Sequence, residues 1–245
     1  SAYPYRFIDL KTLIGDQGYC CVAYFAPDKL LLGLKQGKIV VLCISREQVG
    51  LSNFSSVNPV KDKVELAGIA VDEWGSVFAS DGNGKAISVF DKEGVYINRT
   101  EMPSDEPSLL CAYNRNGVQI VFMISGATVI KYEILYGDGE RQSMVEFKRH
   151  LEIDKESLRM TEFSPCYITV QEDKLLVINH LPKPKSLQIL QLSPKNGQFQ
   201  HSITADATDI CSIRFISEDK VVLYTKDRLH FLERGVKKEL QNSSI

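Results

Sequence analysis

A unit of three short apolar runs, separated by tight polar turns, recurs five times along the chain. The turn between the first and second runs lies at positions 28, 74, 116, 173 and 219, so successive copies are 46, 42, 57 and 46 residues apart. The turn pairs are Asp28-Lys29, Trp74-Gly75, Asn116-Gly117, Asp173-Lys174 and Asp219-Lys220. Asp, Asn and Gly tolerate the backbone conformations of tight turns, which gives the repeat a structural cause. Short runs rich in Val, Ile, Leu, Tyr and Phe favour strands over helices.

Periods of 40 to 50 residues with three or four strands per unit are typical of β-propellers. We therefore predict an all-β chain that forms a single β-propeller of four-stranded blades, with five blades visible and six as the alternative. The strand-like stretch 5–13 would pair onto the last blade of a five-bladed ring. The predicted blades lie near 20–60, 65–102, 107–150, 164–204 and 208–241.

Outer strands complete most of the predicted blades, at 95–99, 144–150, 198–203 and 236–240. The 57-residue step comes from the charged stretch 137–160, which is longer than a blade needs. We predict that this stretch forms an extended outer hairpin or a projecting loop, with a helical turn as a further alternative.

Composition places the chain among ordinary soluble globular proteins. It is 44% hydrophobic and 24% charged, and its formal net charge is −2, so neither a disordered tail nor an overall polyanion-binding charge is indicated. No apolar run is long enough for a transmembrane helix, and the first residues do not resemble a signal peptide. These features predict a cytoplasmic protein, with a nuclear location as the alternative, and no membrane partner.

Cysteines and histidines give no metal-binding pattern. The six cysteines lack CxxC spacing and mostly lie inside apolar runs, which predicts buried free thiols. Four of them occupy, with Gly68, the head of the first run of each repeat: Cys21, Cys111, Cys166 and Cys211. We interpret these as compact side chains at the crowded axis of a propeller. Four converging thiols on a metal ion are the less favoured alternative.

No catalytic motif is present either. His150, His180, His201 and His230 do not recur at one position of the repeat, so a histidine-ligated metal in a central channel is not expected. The loop Asp81–Lys85 has the glycines of a phosphate-binding loop but joins two strands, which favours a β-turn. The spacing of Asp72, Asp81 and Asp91 favours turns over a calcium loop. The sequence thus predicts a non-catalytic domain without a cofactor.

Basic residues cluster near the turns between second and third runs, which fall on one face of a propeller. We call this set the lysine rim, and it is the predicted binding face: Lys35, Lys38, Lys85, Lys183, Lys185, Lys226 and Arg228. Such a face could attract an anionic partner despite the near-neutral total charge. Lysines also edge strands for solubility, which is the alternative interpretation. On the opposite face the turns carry Asp28, Glu73, 172–173 and 218–219 beside several lysines.

The stretch 68–94 resembles an NHL repeat, the blade unit of propellers at the C-terminus of tripartite-motif ubiquitin ligases. The sequence segments that carry the resemblance are GIAVD at 68–72, the Trp74-Gly75 turn, SVFASD at 76–81 and KAISVFDKEG at 85–94. The resemblance implies a five- or six-bladed propeller whose faces bind protein or, in some members, RNA. Ala86 stands where the RNA-binding pattern often has a basic residue, with Lys85 one position earlier, which weakens that inference.

Taken together, the sequence predicts a protein-interaction scaffold, with a role in substrate recognition within a larger ubiquitin-ligase-type protein as its narrower form. The alternative is a propeller that binds single-stranded RNA through the lysine rim. A metal-dependent propeller lyase or hydrolase is the weaker alternative.

Overall fold

A computed structural model describes most of the chain. The described ranges are 10–15, 19–34, 37–44, 49–55, 66–81, 83–102, 105–137, 145–171, 174–181, 186–205, 210–217, 220–225 and 229–233. Within them the chain is almost entirely β-strand, and the single α-helix is α1 (Leu10–Ile14). No helix in this part of the chain is long and apolar enough to span a membrane.

The strands form five antiparallel sheets, each built from consecutive segments of the chain. The first sheet contains β1 (Tyr19–Ala26), β2 (Lys29–Leu34), β3 (Ile39–Ile44) and β4 (Val49–Asn53). The second contains β5 (Leu66–Val71), β6 (Val77–Asp81), β7 (Ala86–Phe90) and β8 (Tyr96–Glu101). The third contains β9 (Pro107–Arg115), β10 (Val118–Ser125), β11 (Thr128–Tyr136) and β12 (Val145–Ile153).

The last two sheets follow the same plan. The fourth contains β13 (Pro165–Gln171), β14 (Lys174–Leu181), β15 (Ser186–Leu192) and β16 (Phe199–Ala205). The fifth has three strands among the described residues, β17 (Ile210–Ser217), β18 (Lys220–Thr225) and β19 (Leu229–Glu233). The predicted fourth strand at 236–240 lies outside the described residues.

The first strands of successive sheets contact one another, in the series β1, β5, β9, β13 and β17. The other strands of each sheet follow outward in chain order. Sheets that meet through their first strands radiate from a common axis, which is the arrangement of a β-propeller. The predicted all-β propeller of four-stranded blades is therefore confirmed.

Apolar side chains pack together between blades 1 and 2, between blades 2 and 3, and between blades 3 and 4. In blade 3, Val121 and Met123 join a cluster with Phe78 and Val89 of blade 2. Phe122, which alternates with them along β10, joins a cluster with blade 4 instead. Because successive residues of a strand point to opposite faces, an uninterrupted apolar run is what a strand between two blades requires.

Some predicted boundaries need correction. Of the stretch 137–160, residues 145–153 form the outer strand β12, which pairs with β11 as in the predicted outer hairpin and ends at Ile153 instead of 150, and turns follow over 155–159. Residues 10–13, predicted as part of a strand, lie in α1, where Ile14 packs on Leu32 and Leu42 of blade 1. The helix covers the face of blade 1 that points away from blade 2, which a strand paired at a sheet edge could not do.

A β-bulge marks the head of the first strand in every blade, as register shifts in the pairing of β1, β5, β9, β13 and β17 show. The predicted crowding there is confirmed at Gly68, where a β-carbon would lie 2.6 Å from the carbonyl oxygen of Ser108 in the next blade. None of the described cysteines is joined in a disulfide, but none is fully buried, and Cys20 and Cys166 are exposed. The prediction of buried thiols is therefore wrong for Cys20 and Cys166, whereas Cys21, Cys43 and Cys111 are partly buried and pack against the apolar clusters between blades.

Candidate interaction face

Antiparallel pairing divides the turns of each blade between two ends. Turns between first and second strands, and between third and fourth strands, lie at one end, which we call the first-turn face. Turns between second and third strands lie at the other end, the second-turn face. Because the blades share one orientation around the axis, each end forms a continuous broad face of the molecule.

Exposed large hydrophobic side chains collect on the first-turn face. Seven such side chains occur in the described part of the chain: Val22, Tyr24, Trp74, Val95, Leu135, Tyr136 and Phe199. Trp74 and Val95 lie in first-turn-face turns, Leu135 and Tyr136 end a third strand, Phe199 begins a fourth strand, and Tyr24 pairs with Leu30 beside the β1–β2 turn. Val22 alone lies near the middle of its strand. Hydrophobic side chains exposed at random would not concentrate at one end of the blades, so this distribution indicates an apolar face.

A buried carboxylate lies beneath the largest of these side chains. Asp72, which is 6% exposed, directly follows the first strand of blade 2 and closes its turn. Its Oδ1 accepts hydrogen bonds from the backbone N–H groups of Trp74 and Ser76, both at 2.9 Å. Gly75 adopts a φ of +86°, which only glycine tolerates easily. The turn therefore holds Trp74 at a set position on the face.

Side chains of blade 3 complete the hydrogen-bond network around Asp72. Gln119 donates from Nε2 to Oδ2 of Asp72 and, at 3.0 Å, to Oγ of Ser76. The hydroxyl of Tyr136 donates to Oε1 of Gln119. Burial raises the pKa of Tyr136, and the negative charge of Asp72 adds to this, while hydrogen bonds with Ser76 and Gln119 act in the opposite direction. Tyr136 is thus a neutral hydrogen-bond donor at neutral pH.

Asn114 connects the tryptophan to the same carboxylate. In the amide orientation that satisfies both of its polar atoms, its nitrogen donates to Oδ2 of Asp72 at 3.2 Å and its oxygen accepts from Nε1 of Trp74 at 3.3 Å. Trp74 is 52% exposed and Tyr136 is 41% exposed. The polar atoms of both rings are bonded within the chain, so the surface they offer to a partner is mainly ring carbon. We call Trp74 and Tyr136 the aromatic pair.

The lysine rim is only partly described. Lys38 and Lys85 lie at the β2–β3 and β6–β7 turns, on the second-turn face as predicted, and both are exposed. The other members, Lys35, Lys183, Lys185, Lys226 and Arg228, lie outside the described residues. The corresponding turn of blade 3, 125–128, carries no basic residue. Lys85 pairs with Glu106 at 3.4 Å, which offsets part of its charge.

In the loop Asp81–Lys85, the described residues 83–85 form a turn between β6 and β7, as predicted. Asp81 accepts from the backbone N–H of Gly84 at 2.8 Å and pairs with Arg99 at 3.1 Å. A β-carbon at Gly84 would lie 2.1 Å from Asp81 Oδ2, so the turn encloses a carboxylate rather than an anion-binding space. Ala86 is fully buried, so it offers no surface to RNA.

Histidines lie away from the innermost strands. His150 and His201 are on fourth strands, His180 is on a second strand and His230 is on a third strand. In the described part of the chain, no three His, Cys, Asp or Glu side chains are grouped so that they could hold a metal ion.

Sequence reasoning missed the contribution of blade 3 to the aromatic pair. Asn114 and Gln119 flank the Asn116-Gly117 turn, and nothing in their local sequence shows that they face blade 2. One signal was available: Asp-x-x-Gly occurs at 72–75, 81–84 and 91–94. In the first and third copies, which both lie on the first-turn face, the Asp Oδ1 accepts from the backbone N–H groups two and four residues later, so these two turns are built alike.

Comparisons with known proteins support the fold. No family model matches the chain, and no curated protein matches its sequence. Among solved structures, U3-55K is 11% identical with a TM-score of 0.59, covering 91% of this chain and 63% of its own. The β-propeller domain of Cps50 (Swd1) from Myceliophteria thermophila is 10% identical with a TM-score of 0.58, covering 91% and 68%. Luciferin-regenerating enzyme is 12% identical with a TM-score of 0.60, covering 86% and 71%.

The chain thus spans about two thirds of the length of these structures, with 66% for the similar Kuenenia stuttgartiensis hydrazine synthase. Some of these proteins are named as enzymes and others are not, so the shared fold does not decide whether this chain is catalytic. Identities of 10 to 12% show the fold alone, and the NHL resemblance stays a prediction. By fold, the chain is a β-propeller.

Proposed function

We propose that the chain is a protein-interaction module that binds a segment of another protein on its first-turn face, centred on the aromatic pair. The observation that carries the proposal is the collection of exposed large hydrophobic side chains at this end of the blades. The expected ligand is an extended segment with apolar or aromatic side chains, since the polar atoms of Trp74 and Tyr136 are already bonded within the chain.

The charge of the first-turn face favours a protein over a nucleic acid. Described residues at its turns include Asp28 beside Lys29, and Lys92 beside Glu93. Mixed charges of this kind do not create the positive potential that a phosphate backbone requires. Tryptophan and tyrosine are, by contrast, the residues most enriched at the energetic centres of protein interfaces.

The test is a selection of peptides from a displayed random library on the purified protein, followed by affinity measurements with the best binders. We expect Trp74→Ala to weaken the selected peptides by about 30-fold, the effect of losing one strong interface residue. Tyr136→Phe keeps the ring and should weaken them much less than Tyr136→Ala does. Thermal unfolding of each variant shows whether the propeller remains folded.

Matched controls separate the two faces. Phe199→Ala removes an exposed aromatic from the first-turn face at blade 4, away from the aromatic pair, and the double variant Lys38→Ala with Lys85→Ala changes the second-turn face. Both should retain peptide binding. Failure to select any peptide, or loss of binding in the lysine variant with retention in Trp74→Ala, would contradict the proposal.

The second candidate function is binding of single-stranded RNA through the lysine rim. Lys38 favours it, because this exposed side chain forms no ion pair with any residue that the structure describes. Gel-shift titrations with short RNAs at several salt concentrations test it. Binding that is lost when Lys35, Lys85, Lys183 and Lys226 are replaced by alanine would support RNA binding, and absence of a shift at low salt would remove it.

The narrower role, substrate recognition for a ubiquitin ligase, rests on the NHL resemblance alone. Under this role the segment bound by the first-turn face would belong to a protein that the ligase modifies. The measurement is ubiquitin transfer by the full-length protein to a carrier protein bearing a selected peptide. Transfer that Trp74→Ala abolishes is the expected result, and transfer that is insensitive to the peptide would contradict it.

A further inference from the structure

Two adjacent thiols lie side by side at the head of β1. In a regular strand, neighbouring side chains point to opposite faces, which would separate Cys20 from Cys21. The register of β1 shifts between Tyr19 and Cys21, so Cys20 is the extra residue of a β-bulge. The bulge brings the two Sγ atoms to 3.7 Å from each other.

Gly33 on the neighbouring strand makes room for this pair. Its missing side chain leaves a niche for Cys21, because a β-carbon at position 33 would lie 2.4 Å from the Cys21 Sγ. The carbonyl oxygen of Gly33 accepts a hydrogen bond from Cys20 Sγ at 3.2 Å. Cys20 is exposed and Cys21 is partly buried, so a small reagent can reach the pair from solvent.

We propose that Cys20 and Cys21 form a two-thiol chelating site for a thiophilic trivalent metalloid, with trivalent arsenicals as the ligand class. Two sulfur–arsenic bonds of about 2.3 Å that meet at the roughly 95 to 100° angle of pyramidal trivalent arsenic span about 3.5 Å, slightly less than the separation of the two thiols. A disulfide would require the sulfur atoms to approach to about 2.05 Å, so the present spacing suits a bridging atom better than a direct bond. A trivalent arsenical needs only two protein ligands, whereas a structural zinc ion needs four.

The reaction is a balanced condensation. An organic arsenoxide carries one carbon substituent and one oxygen on arsenic; each thiol gives up its hydrogen and forms one sulfur–arsenic bond. The oxygen leaves with the two hydrogens as water, and neither sulfur nor arsenic changes oxidation state. No oxidant or reductant is therefore required. The site lies at the start of a first strand, opposite the aromatic pair, and does not depend on the proposed binding function.

Phenylarsine oxide is the probe, with the reduced protein observed by intact mass spectrometry and by titration. We expect one phenylarsenic group per chain, released by a small dithiol and not by a monothiol. Cys20→Ser and Cys21→Ser should each weaken binding by at least about 100-fold, since either change removes the advantage of the second, intramolecular bond. Cys166→Ser, at the corresponding bulge of blade 4, should leave binding unchanged.

Gly33→Ala tests the geometry without removing a thiol. Its β-carbon would displace the Cys21 sulfur, so we expect weaker arsenical binding while both thiols still react with a monothiol-specific reagent, and thermal unfolding reports that the variant is folded. The proposal is overturned if the wild-type protein takes up no phenylarsenic, if uptake survives either serine substitution, or if the thiols are found joined as a disulfide in the reduced preparation.

Discussion

Gly94 shows how closely two blades approach at a single residue. It closes the Asp91 turn with a φ of +81°, and a β-carbon here would lie 1.9 Å from the backbone carbonyl oxygen of Phe54 in blade 1. A backbone atom cannot move aside as a flexible side chain can. Two requirements, positive φ and close contact, therefore coincide at one glycine.

Replacing Gly94 by alanine should separate these two requirements when it is compared with Gly117→Ala. Gly117 has a similar φ of +78°, but apart from its chain neighbours no heavy atom of the described residues lies within 4 Å of the place a β-carbon would take. We expect Gly117→Ala to cost about 1 to 2 kcal/mol of unfolding free energy, from backbone strain alone. Gly94→Ala should cost at least about 2 kcal/mol more because of the added clash. Urea unfolding measures both, and equal losses would show that contact with Phe54 is unimportant.

Tyr132 illustrates how a buried hydroxyl affects stability at high pH. Burial, together with the hydrogen bond to Asp105 and the charge of that carboxylate, raises the pKa of Tyr132 above the ordinary value of 10.0. The hydroxyl donates to Asp105 Oδ2 at 2.7 Å. Above pH 10 the unfolded chain loses this proton while the folded chain keeps it. The folded state then binds more protons, so its stability falls as pH rises.

We therefore expect the urea midpoint of the wild-type protein to fall between pH 9 and pH 11. Tyr132→Phe removes one contributing group and should reduce this fall, at the expense of some stability at pH 7 from the lost hydrogen bond. Part of the fall should remain, because burial also raises the pKa of Tyr96, Tyr113 and Tyr136. An unchanged pH dependence in the variant would contradict the role of Tyr132.

At the scale of the strand, the second strands of blades 1 to 4 are largely buried. Along β10, residues from Ile120 to Ile124 are all buried, with alternate side chains serving different blade interfaces. Phe122 is fully buried in the interface with blade 4 and stacks against Tyr113 with ring centroids 6.1 Å apart. A strand placed between two blades thus stabilises both interfaces at once.

Phe122→Ala should cost about 3 to 5 kcal/mol of unfolding free energy, the range for removing a buried aromatic side chain. Phe199→Ala is the matched control, because Phe199 also lies in a strand but is 52% exposed. Its loss should change stability by less than about 0.5 kcal/mol. Chemical denaturation of the two variants checks the difference, and a similar cost for both would mean that blade interfaces contribute little.

At the scale of the whole molecule, the two faces of the propeller differ in kind. The first-turn face carries exposed rings among mixed charges, whereas the described part of the second-turn face carries Lys38 and Lys85, the latter paired to Glu106. Binding to the first face should therefore be driven by apolar contact, and binding to the second by charge.

The salt dependence of peptide binding distinguishes these modes. For peptides selected on the wild-type protein, we expect the Kd to change less than about tenfold between 50 and 200 mM salt, whereas six or more phosphate-like contacts would cost on the order of 10³. Isothermal titration calorimetry gives the Kd and the heat-capacity change, which should be negative for apolar burial. A steep salt dependence would place binding on the lysine rim instead.

Much of the architecture could be predicted because it depends on local chemistry. The alternation of apolar runs and Asp, Asn or Gly turns predicts strands and turns directly, and their period predicts blades. The bounds of the outer strand at 145–153 and the presence of helix α1 were harder to predict, because the secondary structure of short charged or mixed segments depends on what they pack against. The turn role of Asp72 was predictable from its position, but its partners in blade 3 were not.

By itself, the sequence determined the strand and turn pattern, the five repeats and the division of turns between two faces, since each depends on residues close together in the chain. Tertiary structure alone decided which side chains meet between blades. It joined Asp72 to Gln119, 47 residues away, beneath the aromatic pair, and it used a β-bulge to turn two adjacent cysteines to the same side. Such contacts depend on the packing of blades and on shifts of strand register, which local sequence patterns do not encode.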